Sequence, residues 1–263
     1  MKKRVYEYVD PLNDDFAGTK IEHRPLPKNF RFVHKDPFSA VLSFLLYRLI
    51  ALPILWIVGK LKFGIAVKGK KNLRSLRGKP AFFYGNHTQI ADAWLVQCYL
   101  TGKRTYIVAD QDATSIRGLR YLLKLLGCIP VPEDAEQRKC FVEALEHHVK
   151  MRRGIVIYPE AHIWPYCTKI RPFGDAAFTY PAEMDVATVP FCVTYRKRRF
   201  RKNKSPLMAV HVGKPIYPNM RKSLPERKKE LRDRVYDYMV DRACEDENVE
   251  WVSYVRKKEE KKD

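Results

Sequence analysis

The sequence predicts an α/β protein with a mixed, largely parallel sheet of about seven strands, flanked by helices and preceded by an apolar helical membrane anchor. Two patterns and the chain length predict this class. Beyond Lys60, apolar segments of strand length alternate with segments of helical length, which is typical of a sheet covered by helices. One long apolar run precedes them. A chain of 263 residues, of which 46% are hydrophobic, can form one large domain with an ample core.

Composition divides the chain into four parts. Residues 1–36 are polar and rich in Pro and charge, so we expect an irregular N-terminal arm. Residues 37–59 are the apolar anchor segment. The alternating strands and helices occupy the main domain, 60–218, and residues 219–263 hold an amphipathic helix and a charged tail.

The anchor segment is long enough to just span a bilayer, yet three features favour a different arrangement. Arg48 near its middle is costly in hydrocarbon. Pro53 predicts a kink or two short helices. Both flanks are basic, as at Lys35 and Lys60, so charge gives no orientation. We therefore expect a monotopic, interfacial or re-entrant anchor with both flanks on the cytoplasmic side, and the alternative is the core helix of a soluble domain.

Hydrophobic patterning places the elements of the main domain and of the C-terminal part. A basic run joins the last two strands, so part of the sheet is expected to be antiparallel. Strands are predicted at 63–68, 81–84, 105–109, 128–131, 154–158, 186–195 and 207–212, and helices at 89–101, 114–126, 135–151 and 224–243.

The charge balance indicates an anionic partner. The net charge is +20, from 50 Lys and Arg against 30 Asp and Glu, and membrane phospholipid, nucleic acid or a phosphorylated substrate would each fit it. The basic run 196–204 interleaves only Phe200 with its charges and offers no platform for stacking bases. We therefore expect anionic membrane lipids and no nucleic acid.

Cysteine usage and the N-terminus bear on the compartment. The six cysteines are scattered, with no C-x-x-C and no pairing with His of the metal-ligand type. This pattern favours reduced thiols in the cytosol and predicts no metal site. The segment Met1-Lys2-Lys3-Arg4 leads into Tyr, Glu and Asp rather than an apolar core, so it is not a signal peptide.

His87 is the first candidate for chemistry. The strand 81–84 ends at the turn Gly85-Asn86, and Thr88 can cap the next helix, which places His87 at a strand-to-helix junction. Asp92 follows five residues later. On an unbroken helix the two side chains would diverge by roughly 140°. They meet only if the helix begins inside the motif.

An acid bonded to one nitrogen of His87 would fix the tautomer of the ring and orient it. The other nitrogen could then take a proton from a substrate hydroxyl, as in the base-and-orienter half of a Ser-His-Asp triad. The alternative is a loop histidine with Asp92 as a first-turn carboxylate favoured by the helix dipole. The spacing H-x-x-x-x-D alone is common by chance.

Glu160 is the second candidate. The apolar strand 154–158 runs into Pro159-Glu160 at a turn. If this strand and the strand before His87 are parallel neighbours, both side chains lie at one edge of the sheet. Glu160 would then accept a hydrogen bond from an acceptor hydroxyl or hold the site loop, and the alternative is an ordinary turn acid.

Together these stretches resemble the glycerolipid acyltransferase family, which includes the lysophosphatidic acid acyltransferases. The resemblance covers roughly residues 60–218 and rests on an ordered set of blocks. These are Asn86-His87 with Asp92, Gly127-Cys128-Ile129, Tyr158-Pro159-Glu160, Val189-Pro190-Phe191 and Gly213-Lys214-Pro215-Ile216.

The chain departs from the family where the family contacts an acceptor phosphate. The second block lacks its usual Arg, and the third reads Glu160-Ala161-His162 instead of E-G-T-R. Lys169 and Arg171 follow closely and could replace the missing clamp. The alternative is that both are ordinary solvated charges and that the acceptor differs.

Other polar groups allow less specific interpretations. His162 and Trp164 either line the pocket or are simply exposed. The pair His147-His148 on a predicted helix lacks a third ligand and is interpreted as surface.

The resemblance implies an O-acyltransferase of the 1-acyl-glycerol-3-phosphate type or with a related acceptor, acting in phospholipid biosynthesis. It implies His87 and Asp92 as the catalytic pair, and Asn86 and Glu160 in substrate binding together with Lys169 and Arg171. The acyl donor would be acyl-CoA or acyl carrier protein, the acceptor a lyso-lipid, and no cofactor or metal is required. The expected location is the cytoplasmic face of the cell membrane. The alternative function is a catalytically weakened membrane-surface binding protein on the same scaffold.

Overall fold

The computed structural model describes residues 4–16, 18, 25–33, 37–102, 104–110, 123, 126–200, 204–245 and 247–257. Its strands are β1 (Arg4–Tyr8), β2 (Ala66–Lys68), β3 (Ala81–Tyr84), β4 (Thr105–Ala109), β5 (Cys128–Pro130), β6 (Gly154–Ile157), β7 (Thr188–Arg196), β8 (Leu207–Val212) and β9 (Val252–Arg256). Its α-helices are α1 (Pro37–Leu45), α2 (Leu52–Val58), α3 (Asp92–Leu95), α4 (Ala135–Lys150), α5 (Thr179–Met184) and α6 (Leu224–Ala243). The π-helical segments are Leu46–Ala51, Gly59–Phe63 and Val96–Thr101, and the 3₁₀ segments are Lys70–Leu76 and Ala176–Phe178.

A seven-stranded sheet in the order β2-β8-β7-β3-β6-β4-β5 forms the centre of the protein. Strands β3 to β7 are mutually parallel, and β8 runs antiparallel to β7. Strand β2 pairs with β8 in parallel, so these two strands run against the other five. The mixed, largely parallel sheet of the sequence prediction is therefore confirmed, including its antiparallel part after the last basic run.

The predicted strands lie close to the observed ones, and the differences have local causes. The strand predicted at 63–68 begins only at Ala66, because helical structure continues to Phe63. The helix predicted at 89–101 begins at Asp92, because residues before it form the turn of the candidate site. The helix predicted at 114–126 lies almost entirely outside the described residues.

The core lies on both faces of the sheet. Along β3, Phe83 belongs to the apolar cluster on one face, whereas Phe82 and Tyr84 belong to the cluster on the other. This alternation follows from the two-residue period of a strand. The second face is covered by α4 and by α6, which buries Leu231 and Val235.

The anchor segment is helical throughout, since α1, a π-helical segment, α2 and a second π-helical segment follow one another from Pro37 to Phe63. Val41–Phe63 is long and apolar enough to cross a membrane, with a mean hydropathy of 2.2, and 11% of an 18-residue stretch within it is buried. The expected break at Pro53 takes the form of the π-helical segment Leu46–Ala51 just before it, and the chain remains helical beyond. We call Val41–Phe63 the apolar helix.

One side of the apolar helix packs on the π-helical segment Val96–Thr101. Tyr47 donates a hydrogen bond to the side chain of Gln97, and Tyr99 donates one to the carbonyl of Trp56. Much of the remaining surface of the helix exposes large apolar side chains to solvent, among them Phe44, Leu49, Ile50, Ile54, Ile57 and Leu61.

The two ends of the chain form a second sheet that the sequence did not predict. Strand β1 pairs in parallel with β9, with Arg4 opposite Val252 and Tyr8 opposite Arg256. The expectation of an irregular arm over residues 1–36 was therefore wrong for Arg4–Tyr8. Each strand has only 5 residues, and its partner lies at the far end of the chain, so no local pattern reveals the pairing.

Candidate active site

The candidate site lies at the carboxyl ends of β3 and β6. Tyr84 and Ile157, the last residues of these parallel strands, are paired in register. His87 and Glu160 each follow three residues later. The two side chains therefore reach the same edge of the sheet, as the sequence predicted.

His87 and Asp92 meet because the chain turns before the helix starts. Helix α3 begins at Asp92 itself, and Thr88 does not cap it. Oδ2 of Asp92 lies 2.9 Å from Nδ1 of His87 and accepts the backbone N–H groups of Thr88 and Gln89 at 2.7 and 2.9 Å. The hydroxyl of Thr88 instead accepts a hydrogen bond from Tyr195 at 2.8 Å. One carboxylate oxygen thus closes the loop and orients the imidazole.

The imidazole of His87 is held on its face as well as at its edge. It stacks on the ring of Tyr158, with 4.5 Å between ring centroids and 17° between planes. The Tyr158 hydroxyl donates to the backbone carbonyl of Asp92 at 2.7 Å. Burial and the nearby charge of Asp92 raise the pKa of Tyr158, so its hydroxyl stays protonated as a donor. Tyr158 was not predicted as a site residue, although its place directly before Pro159-Glu160 was a usable signal.

The arrangement leaves Nε2 of His87 as a base. A carboxylate only accepts, so Nδ1 carries the proton of the shared hydrogen bond. No described residue hydrogen-bonds Nε2, and the side chain is 16% exposed while that of Asp92 is 0% exposed. With the buried acid behind it, the partly exposed imidazole can accept a proton at Nε2 from a hydroxyl that approaches from outside.

Glu160 joins two loops and does not face open solvent. Its Oε2 accepts the backbone N–H of His87 at 3.1 Å and lies 3.2 Å from Nη2 of Arg171. Its Oε1 accepts the backbone N–H of Arg171 at 2.9 Å. Burial raises the pKa of Glu160, and the charge of Arg171 and these hydrogen bonds oppose that shift. Of the two roles predicted for Glu160, the geometry corresponds to holding the site loop.

Asn86 braces the same loop. Its Nδ2 donates to the carbonyl of Val193 at 2.9 Å, and its Oδ1 accepts the N–H of Val193 at 2.7 Å. The side chain is buried and its amide is bonded to the backbone of β7, and the predicted role of Asn86 in substrate binding stays a prediction. The preceding Gly85 has no room for a side chain, since a Cβ there would lie 2.2 Å from the ring of Phe191.

Arg171 and Lys169 do not form the cationic pair that the sequence suggested. The Arg171 side chain is 4% exposed and pairs with Glu160. It also donates to the carbonyls of His162 and Pro11, and its guanidinium lies 4.8 Å from the centre of the Trp164 ring. Lys169 is exposed. Arg171 is therefore a buried structural cation, and only Lys169 can reach solvent.

The loop 160–171 is held from both sides. On one side, the N–H groups of Trp164 and Tyr166 donate to the carbonyls of His87 and Thr88, both at 3.1 Å. On the other, Nε1 of Trp164 donates to the carbonyl of Asp14 at 2.7 Å.

Aromatic rings from both chain ends surround Trp164, with centroid distances between 4.7 and 5.1 Å to Tyr8, Phe16 and Tyr254. Trp164 is thus buried under the terminal sheet rather than lining an open pocket or being exposed. The aromatic residues in both terminal segments of the sequence could have indicated this packing.

The interpretation of His147-His148 as a surface pair was wrong for His148. Its side chain is buried against Tyr106, with 3.6 Å between ring centroids, and Nδ1 lies 3.1 Å from Nη1 of Arg153. Burial, and then the charge of Arg153, lower the pKa of His148 to about 3. This histidine belongs to α4 and has no contact with the candidate site. Among the described residues, no three His, Cys, Asp or Glu side chains group as metal ligands.

Comparisons with known proteins bear on the family and on the fold. The family model described as "Acyltransferase" matches residues 64–194, a span that contains His87, Asp92 and Glu160. A search of curated protein sequences gives no significant match. Among solved structures, the chain is similar to the 1-acyl-sn-glycerophosphate (LPA) acyltransferase PlsC of Thermotoga maritima, with a TM-score of 0.57 and 16% identity. The match covers 79% of this chain and 88% of that one, and at this identity it supports the fold alone.

Proposed function

Through residues 64–194 the chain belongs to the acyltransferase family, and we propose that it moves a fatty acyl group from a thioester donor to a lipid hydroxyl in glycerolipid synthesis. The observation that carries the proposal is the hydrogen bond between His87 and Asp92 at the mouth of the parallel strands. It orients a base at the place where an α/β sheet usually holds its substrate.

The proposed reaction begins with proton transfer. Nε2 of His87 takes the proton of the acceptor hydroxyl while that oxygen attacks the carbonyl carbon of the thioester. Asp92 accepts the Nδ1–H throughout and stabilises the imidazolium that forms. A new C–O bond is made, and the tetrahedral intermediate collapses with cleavage of the C–S bond. The electron pair leaves on sulfur, and the proton on Nε2 passes to the thiolate.

The donor that fits this chemistry is acyl-CoA or acyl carrier protein. A thiol leaves readily because its pKa is about 8.5, so the site needs no strong general acid. The tasks that remain are deprotonation by His87, orientation by Asp92 and positioning of the two substrates. The fixed contacts of Glu160 and Tyr158 serve the positioning of the base.

For the acceptor we favour a lipid that is not held by a phosphate clamp of two arginines. The chain lacks both arginines of the related blocks. The nearest substitute, Arg171, is already paired with Glu160 in a buried position. Releasing it toward a ligand would leave Glu160 buried without its cation, which is costly. Lys169 remains as a single point charge at the same edge.

We further propose that the enzyme sits on the cytoplasmic face of a membrane through its apolar helix. Contacts with the main domain run from Tyr47 to Gly59 along this helix, which is about 18 Å at 1.5 Å per residue. A spanning helix would therefore draw the attached segment Val96–Thr101 into hydrocarbon. A helix lying along the interface keeps that segment with the domain and buries the exposed apolar side chains in lipid. Cysteines introduced near residues 35 and 62 should then be labelled from one side only, and labelling from opposite sides would refute this arrangement.

The experiment that tests the activity is an acyl-transfer screen of the purified protein. It should use acyl-CoA and acyl carrier protein thioesters against lysophosphatidic acid, other lyso-lipids and non-phosphorylated lipid alcohols. We expect transfer to at least one acceptor, and loss of that transfer in Asp92→Ala. If no donor and acceptor pair reacts in the folded protein, the alternative of a membrane-surface binding protein on this scaffold is favoured.

A further inference from the structure

A basic cavity lies at the amino ends of the parallel strands, at the other end of the sheet from His87. The first residues of three neighbouring parallel strands, Ala81, Thr105 and Gly154, are paired in register and line it. The cavity has a volume of about 490 Å³. Apolar side chains, including Phe83 and Leu100, form part of its wall.

The cations of this cavity have no acidic counterpart among the described residues. No described Asp or Glu lines it, and in the sequence none occurs from Pro37 to Ala91. The cationic side chains are exposed, and the ion pairs between described residues include none of them. They are Lys70, Lys71, Arg74, Arg77, Lys79 and Arg152.

The cavity adjoins the apolar helix. Its wall includes Leu100 and Thr101, which belong to the π-helical segment on which that helix packs. The next residue, Gly102, accepts a hydrogen bond from Arg48 of the helix at 3.2 Å. An apolar face and a cationic cavity therefore lie side by side, in an order that matches the hydrocarbon and the headgroup layer of a membrane.

We propose that this cavity binds the phosphate-bearing headgroup of an anionic phospholipid from the bilayer on which the apolar helix lies. The inference rests on the membrane association proposed above and adds a lipid site that takes no part in the reaction. The phosphate lies among the cations, which retain their hydration until it arrives, and the apolar wall contacts the glycerol and the upper part of an acyl chain.

The site is separate from the reacting centre. The cavity opens at the first residues of the strands, whereas the loop of His87 follows the last residue of β3, which lies about 10 Å along the strand from Ala81. A free phosphate would use the cations but not the apolar wall, and it would not explain the position of the cavity beside the apolar helix. Three neutralised cations at a membrane surface should weaken binding to anionic vesicles roughly 100-fold, since each such charge is worth about a factor of five.

The first test measures flotation of the full-length protein with vesicles of phosphatidylcholine alone and of an equal mixture with phosphatidylglycerol. The test variant is Lys71→Gln with Arg74→Gln and Arg77→Gln. The control variant removes three exposed cations that lie on or next to α4 and α6, namely Lys139→Gln, Arg221→Gln and Lys229→Gln. We expect the test variant, but not the control variant, to lose its preference for the anionic vesicles. Both variants should bind vesicles of phosphatidylcholine alone equally well. Equal binding by the two variants to anionic vesicles would overturn the proposal.

The second test separates a lipid site from a free-anion site. Calorimetric titration with a monomeric short-chain phosphatidylglycerol should give saturable binding that the test variant loses, and inorganic phosphate should bind far more weakly. Phosphate binding as tight as that of the lipid would contradict the proposal.

Acyl transfer to detergent-dispersed substrates should be unchanged in the test variant. If no protein shows transfer, the proposed activity fails while both binding measurements remain decisive.

Discussion

At the carboxyl ends of β3 and β6 the charged side chains of Asp92, Glu160 and Arg171 are buried and bonded. At the amino ends of the same strands the cations of the basic cavity are exposed and pair with no carboxylate of the described residues. Asp92 accepts three hydrogen bonds with one oxygen, and Glu160 and Arg171 pair at 1% and 4% exposure. The cations of the basic cavity, such as Lys71 and Arg74, instead remain in water.

This difference in burial follows from the different functions proposed for the two edges. A buried charge loses its hydration, so the fold must supply partners, and those partners fix its position. Catalysis requires such fixed geometry, because a base must meet a hydroxyl within hydrogen-bond distance. An exposed charge keeps its water and its freedom, so it stabilises the fold little but attracts anions over a long range. Binding to a lipid surface needs only that sign and density of charge.

The largest expected effect at the carboxyl-end edge is on the reaction. His87→Ala should slow acyl transfer by about 10²- to 10⁴-fold, because the general base is lost. The matched control is His162→Ala, a histidine of the same edge that no described contact ties to Asp92. Folding, checked by circular dichroism, and vesicle binding should be unchanged. Near-normal turnover by a folded His87→Ala protein would remove the catalytic assignment.

The next effect compares a buried charge with an exposed one. Glu160→Gln should lower the free energy of unfolding by about 3–5 kcal/mol, because Arg171 is left buried without its carboxylate. Arg74→Gln at the opposite edge should change it by no more than about 0.5 kcal/mol. Urea denaturation measures both. Adding Arg171→Met to Glu160→Gln should restore part of the loss, and equal effects of the two single variants would undo the comparison.

His148 is a buried exception near the amino-end edge and predicts a pH dependence. Its pKa is lowered from 6.5 to about 3 in the folded protein, so between these values the unfolded chain binds a proton that the folded one does not. The contribution of the neutral His148 to the free energy of unfolding is therefore fully present above pH 6.5 and is lost as the pH falls toward 3.

From pH 7.5 to pH 5 this histidine should account for a loss of about 2 kcal/mol. Urea denaturation of His148→Phe, which keeps a ring against Tyr106, should lack this part of the pH dependence. An unchanged dependence would mean that other groups cause it.

The smallest effect concerns two tryptophans, the buried Trp164 and the half-buried Trp94. Trp164→Phe should cost about 1 kcal/mol of unfolding free energy, because Nε1 no longer donates to the carbonyl of Asp14. Trp94→Phe is the control, since its buried Nε1 has no hydrogen-bond partner among the described residues. It should be neutral or slightly stabilising. A larger loss for Trp94→Phe would show that ring packing, and not the hydrogen bond, dominates at both positions.

Local patterns were enough to predict the elements and their order. The period of two residues and the apolar runs placed seven strands within three residues of their observed bounds. The predicted helix 224–243 coincides with α6, because its buried stripe recurs at helical spacing. The same reasoning brought His87 and Glu160 to one edge, since parallel neighbouring strands end together.

Partnerships between distant residues were not predictable in this way. Asn86 is hydrogen-bonded to the backbone of Val193. Arg171 pairs with Glu160 and donates to the carbonyl of Pro11, and Trp164 packs against both ends of the chain. The roles of these residues toward a substrate, and those of Lys169 and the acyl donor, remain predictions.

The sequence by itself determined the α/β class, the order of the strands along the chain, the apolar helix, and the places of His87 and Glu160 directly after their strands. Each of these depends on neighbours within a few residues. Only the tertiary structure decided which polar groups are buried, which of them already have partners and that β1 pairs with β9. Those outcomes depend on which surfaces exclude water. Packing between segments more than 100 residues apart, such as those of Asn86 and Val193, decides this.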